Sequence, residues 1–189
     1  RLDWEGMLLN RANDLAQNGR LALFNFGIDE NGHYLGSTGG KNMFDTFNQL
    51  WRALANEGII TNEEYINTNF PQSYRTVEQF TAPFKDSKNP VYKAGLRVEH
   101  VETRLVKCPF ALDFKNHKKP NLFAKEYIPT LRSWSEATFV SGLSPQRSIN
   151  EKQEIVDVFY NNYQKFVEES PEGHAMDYVH CYLMIKKEG

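Results

Sequence analysis

The stretch Arg20-Leu-Ala-Leu-Phe-Asn-Phe-Gly27 indicates the fold class, because residues 21–26 are all apolar except Asn25. A short apolar run that follows a glycine predicts a strand with both faces buried, as in the middle of an α/β sheet. Ahead of it, residues 3–17 carry apolar side chains at helical spacing and are followed by the stop signal Asn18-Gly19. The chain is therefore expected to open with a helix, a turn and a buried strand.

The composition limits the classes of function to be considered. The chain has 189 residues, enough for one domain with a real core, and its formal net charge of −2 argues against a nucleic-acid partner. The cysteines, Cys108 and Cys181, have no CxxC spacing, which argues against a zinc site or a disulfide scaffold and favours a reduced, cytoplasmic setting. No apolar run approaches the ~20 residues of a membrane span, so no membrane partner is expected.

Several helix boundaries can be read from capping signals. Asn42 begins one helix, and the capping boxes at 61–64 and 148–151 begin two more, the last of which is expected to reach about residue 169. Thr76 opens a further short helix, which Pro83 is expected to stop. The chain should therefore be rich in short and medium helices.

The strands are few for a doubly wound sheet. Residues 95–107 and 177–186 alternate between apolar and polar side chains, whereas 108–120 has no defined element and 122–139 predicts a helix that Pro129 should kink or restart. Together with the opening strand this gives three strands, of which the first and last are expected to be buried on both faces. Part of the sheet is therefore expected to lie outside this chain or to come from a partner.

No local motif identifies a catalytic site. The glycine-rich loop Gly36–Gly40 lacks the G-x-G-x-x-G pattern, so a flexible connection is favoured over a phosphate cradle, and a nucleotide-binding domain stays a rival. None of the histidines has a second ligand four residues on, and no nucleophile elbow occurs. Aromatic and sulfur-bearing residues such as Met43, Phe44, Trp134 and Phe159 remain, and residues of this type at helical spacing are more often core than pocket.

Six pieces of the sequence carry a family likeness in chain order: Asp3-Trp4 through Arg20-Leu-Ala-Leu, Ala53-Leu54 through Gly58-Ile-Ile60, Phe70-Pro-Gln72 with Tyr74, Arg132-Ser-Trp-Ser-Glu136, Phe159–Tyr163 and Asp177–Lys187. The ordered set resembles the C-terminal half of the SABATH methyltransferases. These are S-adenosylmethionine (SAM)-dependent carboxyl methyltransferases of salicylate, benzoate, jasmonate and indole acetate, together with the caffeine-pathway enzymes.

The resemblance implies an α/β fold, the C-terminal part of a Rossmann-like methyltransferase sheet with a helical substrate-binding cap. The chain would hold the last three of seven strands, the final one antiparallel. Residues 1–27, 94–107 and 176–187 would belong to the sheet core, and 28–93 and 108–175 to the cap. The SAM-binding N-terminal half would be absent, which agrees with the shortage of strands.

The resemblance also implies a set of acceptor-binding residues. They are Met43, Phe44, Leu131, Trp134 and Phe159. No catalytic residue is implied, and the cofactor-binding residues would lie mainly in the missing half. Some relatives bind magnesium at a segment that reads Ile66-Asn-Thr-Asn69 here, and because its acid is missing no metal is expected.

The implied function is SAM-dependent methyl transfer to the carboxylate of a small acid, with this chain alone an inactive fragment. A carboxylate is ionised at neutral pH, so the reaction needs no general base. The alternatives are a stand-alone small-molecule or protein-binding module and an N-methyltransferase of a small heterocycle. The implied partners are the acid substrate and the N-terminal half, with a homodimer left open.

Overall fold

The computed structural model describes residues 2–188, which form two compact units. The sheet unit comprises residues 2–35, 73–106 and 178–188, and the helical unit comprises 36–72 and 107–177. In chain order the elements are α1 (Leu2–Asp14), β1 (Arg20–Ile28), α2 (Met43–Asn56), α3 (Asn62–Asn67), β2 (Arg75–Thr76), α4 (Val77–Lys85), α5 (Pro90–Lys93), β3 (Leu96–Val106), α6 (Pro109–His117), α7 (Pro120–Gly142), α8 (Ile149–Glu169) and β4 (Tyr178–Lys187).

The sheet has the strand order β2-β1-β4-β3. β4 is antiparallel to both of its neighbours, with Arg20 opposite Lys186 on one side and Val106 opposite Tyr178 on the other. β2 is the strand that the sequence did not predict, and it pairs parallel to β1 only at Gly27 and Ile28. The α/β class and the antiparallel final strand are confirmed.

One face of the sheet carries the core of the sheet unit. Helices α1 and α4 both pack on this face, and the indole Nε1 of Trp4 donates to the carbonyl of Phe80 at 3.1 Å. The buried members of this core are Trp4, Leu8, Ala12, Phe80, Phe84, Val91, Leu96, Cys181, Leu183 and Ile185. Burial of this apolar surface is the main stabilising term of the unit.

The opposite face of β1 is uncovered by the described residues. Phe24 is 68% exposed and Phe26 is 43% exposed. The prediction that the first and last strands are buried on both faces is therefore wrong, since β4 also alternates buried Cys181 with half-exposed Tyr182. The reason is that α1 and α4 pack on the same face, so that within the described part of the sheet unit no helix packs on the second, apolar face.

A β-bulge explains the apolar pattern of β3. Leu96 and Val98 are two residues apart, as alternation requires, but the next apolar residue is Val101, three residues further on, rather than residue 100. The ladder to β4 shifts register between Val98 and His100, which leaves Glu99 as the extra residue. A single inserted residue of this kind restores the alternation on the same face of the sheet.

Most helix boundaries occur where the capping signals placed them. Asn42 accepts from the backbone N–H groups of residues 44 and 45, and Thr61 and Ser148 form reciprocal capping boxes. α1 ends earlier than predicted, and Asn18 takes the left-handed conformation at φ 62°. The predicted stop at Pro83 is wrong, because α4 continues to Lys85.

Two predictions for the helical unit need correction. Residues 108–120, for which no element was predicted, contain α6, which has proline at its first position and lysine and histidine in its last turn. α7 runs through Pro129 as one helix, so no new start occurs there. Proline removes one hydrogen bond, and a helix of 23 residues can tolerate that loss.

The observed division into units differs from the predicted boundaries over residues 28–35 and 73–93. Both segments were assigned to the cap but lie in the sheet unit. The physical reason is that β2 pairs with β1, while Phe80 and Phe84 belong to the core beneath the sheet. The assignment of the helical unit as a substrate cap stays a prediction.

Candidate functional site

An aromatic cluster lies in the helical unit, built from α2, the connection after α3, α7 and α8. Its members are Phe44, Phe47, Phe70, Trp134, Phe139 and Phe159. Phe47 is central, with its ring centroid 5.4 Å from that of Phe70, 5.8 Å from Trp134 and 6.1 Å from Phe159. Aromatic pairs of this kind, here one stacked and two tilted, stabilise beyond their buried area by about 0.5–1.5 kcal/mol each.

Three of the five predicted acceptor-binding residues belong to this cluster. The rings of Phe44 and Trp134 are 6.3 Å apart, and Phe44 is half-buried while Trp134 is 37% exposed. Phe159 is fully buried and lies 4.3 Å from Phe139. Only Phe44 and Trp134 therefore offer surface to a ligand in this structure.

Met43 and Leu131 are core residues of the helical unit. Met43 is 1% exposed and Leu131 is 0% exposed. Met43 packs closely over Gly36, where an added Cβ would come within 2.8 Å of the Met43 Cβ. Contact of these two residues with an acceptor stays a prediction.

Sequence reasoning did not single out Phe70 as a site residue. It lies in an extended connection, where helical periodicity gives no signal, yet its ring stacks on Phe47 with an interplanar angle of 28°. The connection is held by Trp51, whose Nε1 donates to Thr68 Oγ1 at 2.9 Å. An apolar ring directly before Pro71 was the available signal.

The polar residues beside the cluster have structural roles. Arg132 and Glu136, which carry part of the family likeness, form an ion pair, and Arg132 also donates to Asp157 at 2.5 Å. This joins α7 to α8. The hydroxyls of Ser135 and Tyr160 are 2.7 Å apart, and burial raises the pKa of Tyr160.

The aromatic cluster can therefore supply apolar walls that exclude water and orient a ligand. Among residues 2–188, no three histidine, cysteine, aspartate or glutamate side chains come together where they could hold a metal ion. Reactions that use an already ionised nucleophile suit such a site, because they need desolvation and alignment rather than proton transfer.

Among known proteins, similarity to this chain is found in structure and not in sequence. No family model matches the sequence, and no curated protein matches it. Among solved structures, a loganic acid methyltransferase solved with SAH is similar with a TM-score of 0.57 and 18% identity. The alignment covers 99% of this chain and 47% of that chain, so this chain spans about half the length of its structural neighbour. The fold is thus similar to about half of that methyltransferase structure. Among the described residues, no helix has both the length and the apolar character that crossing a bilayer requires.

Proposed function

We propose that this chain is the acceptor-binding and C-terminal sheet part of a SAM-dependent methyltransferase that acts on a small carboxylic acid. Two lines support the proposal. The sequence resembles the C-terminal half of the SABATH methyltransferases in six ordered pieces, and the fold matches part of a loganic acid methyltransferase over 99% of this chain. The methyl group would come from SAM, held mainly by polypeptide outside the chain described.

The observation that carries the proposal is the open edge and the exposed aromatic face of β1. β1 pairs with β4 from Arg20 to Phe26, but its other edge pairs with β2 only at Gly27 and Ile28. The same strand exposes Phe24 and Phe26 on one face. An open edge and an exposed aromatic face on one strand are costly in isolation and are expected where further polypeptide extends and covers the sheet.

The exposed rims of Phe44 and Trp134 are the surface to which we assign the acceptor. A carboxylate needs no base at neutral pH, so the required work is to strip water from it and hold it in line with the methyl donor. Aromatic rings exclude water and can also face a sulfonium cation. Phe47 and Phe70 hold these two rings in place from behind.

The test uses the gene product that contains this chain, incubated with labelled SAM and a panel of small carboxylic acids. The proposal predicts label in a methyl ester, which alkali releases as methanol. Label stable to alkali on a heterocycle would indicate an N-methyltransferase instead. Absence of transfer to every acid, combined with saturable binding of an acid to the chain alone, would indicate a stand-alone binding module.

A pair of variants tests the assigned surface. Trp134→Ala should raise KM for the acid about tenfold through loss of one aromatic wall. Val158→Ala is the matched control, because Val158 is also 37% exposed on a helix of the same unit and is not in the cluster. Equal effects of the two changes, with both variants folded by circular dichroism, would refute the assignment.

A further inference from the structure

The helical unit contains a cavity whose lining shares no residue with the proposed acceptor surface. Its volume is about 250 Å³, and three segments line it: the loop 36–42, α6 with Lys118 after it, and residues 171–177. Thr38 and Gly39 of the glycine-rich loop form part of the wall, with Phe114 and Ala111 of α6. The volume lies below the roughly 300–1,000 Å³ of pockets for drug-sized ligands, so it suits a smaller molecule.

The cavity wall is held in place by a hydrogen-bonded clamp between the loop and residues 170–177. The Gly36 N–H donates to the Asp177 carbonyl at 3.0 Å, and the Lys41 N–H donates to the Gly173 carbonyl at 3.0 Å. Lys41 Nζ donates to the Ser170 carbonyl at 2.6 Å. A Cβ on Gly39 would lie 2.5 Å from the Gly173 carbonyl oxygen, so this backbone approach needs glycine. The cavity is therefore preformed.

The lining carries unbalanced positive charge. The Asp177 carboxylate is already satisfied, because it accepts from Thr38 Oγ1 at 2.5 Å, from the Cys108 N–H at 2.7 Å and from Lys107 Nζ at 3.1 Å. Lys115 also lines the cavity and forms no ion pair among residues 2–188. Asp177 and Lys107 neutralise each other, so this pair adds no net charge to the lining.

The other titratable groups do not cancel this charge. Lys118 Nζ lies 5.7 Å from the centroid of the Phe114 ring, at the cavity wall. Glu172 is the one remaining carboxylate among the lining residues, and Lys115 and Lys118 are two further ammonium groups of the same lining, so one positive charge is left over. Burial, and then the neighbouring Lys41 ammonium, lowers the pKa of His174 to about 4, so this lining histidine is neutral at pH 7.

We propose that this cavity binds a small organic anion. Its carboxylate or phosphate group lies between Lys115 and Lys118, and its short apolar body lies against Phe114 and Ala111. Charge-assisted hydrogen bonds from two ammonium groups fix the anion, and the ring excludes water from its body. This inference rests on the cavity and its charges and is independent of the proposed methyl transfer.

The test titrates the full chain with benzoate, phenyl phosphate and benzamide, followed by calorimetry and by amide chemical shifts. Saturable binding of benzoate or phenyl phosphate, with shifts centred on residues 107–118 and 171–177, supports the proposal. The stronger of the two anions identifies carboxylate or phosphate as the preferred group. Equal affinity for uncharged benzamide, or shifts confined to other residues, overturns it.

Two variants test separately how the lysine charges and the cavity volume contribute to anion binding. K115Q/K118Q should weaken anion binding at least about tenfold, since each lost charge-assisted contact accounts for a large part of the affinity of so small a ligand. A111L should reduce binding by filling the cavity without changing its charge. The matched controls K125Q/K165Q and A137L, which alter exposed residues of the same unit, should bind as the parent chain does. Unchanged binding by both test variants, with melting temperatures within a few degrees of the parent, overturns the proposal.

Discussion

Replacement of Glu64 with glutamine tests how the helical unit is held together. The Glu64 side chain is 3% exposed and receives two hydrogen bonds from Arg147, at 2.5 and 2.8 Å. It also accepts from the Thr61 N–H at 2.8 Å and from the Ser144 N–H at 2.9 Å. These contacts join the start of α3 to the segment before α8.

The magnitude follows from the pKa. Hydrogen bonds from Arg147 outweigh desolvation and lower the pKa of Glu64 from 4.5 to about 2. At about 1.4 kcal/mol per pKa unit, the charged form stabilises the fold by about 3 kcal/mol. Glutamine keeps an acceptor but loses the charge, and it leaves Arg147 unpaired, so E64Q should lose about 2–3 kcal/mol of unfolding free energy at pH 7.

The assay is urea unfolding followed by tryptophan fluorescence at pH 7 and near pH 3. Because the folded-state pKa is lowered, the stabilisation is complete above pH 4.5 and is lost as the pH falls toward 2. The difference between E64Q and the parent chain should therefore shrink at acid pH. The matched control E63Q alters the adjacent, exposed carboxylate and should change stability by less than about 0.5 kcal/mol. A loss in E64Q no larger than in E63Q would refute the reasoning.

Three further predictions concern other parts of the chain. Gly142→Ala should lower the free energy of unfolding by more than about 2 kcal/mol in urea, because the added Cβ would lie 2.0 Å from Thr68 Oγ1. Gly6 has open space around it, so Gly6→Ala should raise the free energy of unfolding by about 0.5–1 kcal/mol. A change of the same sign in both variants would contradict this prediction. An NMR titration of His174 should show a pKa near 4. Because the unfolded chain takes up this proton at a higher pH than the folded chain does, the free energy of unfolding should fall as the pH is lowered from about 6.5 to 4. A titration near 6.5 would show that the side chain is solvated. Phe24→Ser should change the stability of this chain by less than about 0.5 kcal/mol in the same assay, because Phe24 is 68% exposed, and a loss above about 1.5 kcal/mol would show that the ring is buried.

Local chemistry was sufficient to predict most elements. Capping side chains at Asn42, Thr61 and Ser148 satisfy backbone N–H groups within three residues, so no distant contact is needed to identify them. The alternation of apolar and polar residues likewise predicted β4 without any distant contact, and its buried positions include Cys181 and Leu183. The shift in parity after Val98 was visible in the sequence as well, although only the ladder identified it as a bulge.

Features that depend on distant contacts were not predictable. The apolar character of Phe24 and Phe26 was correctly recognised, but which element covers a strand face depends on where α1 and α4 pack. β2 is two residues long and exists only through its pairing with β1. Short elements of this kind carry no periodicity from which a prediction can be made.

The candidate site was predictable in part. The resemblance to the SABATH methyltransferases implied Phe44, Trp134 and Phe159 as acceptor-binding residues, and the structure brings these three into one aromatic cluster. Their contact with an acceptor stays a prediction. Phe70 was missed as a site residue because it enters from an extended segment. The cavity between the loop 36–42 and α6 was not predicted, because Gly39 and Lys115 are far apart in sequence and come to line one cavity only through folding.

The central claim is that this chain provides the acceptor side of a methyltransferase and that the cofactor side lies in other polypeptide. Calorimetric titration with SAM of two proteins, the 189-residue chain and the gene product that contains it, tests this most directly. Saturable heat is expected for the gene product and none for the chain alone. Saturable binding of SAM to the isolated chain would contradict the claim. So would a gene product that does not bind SAM.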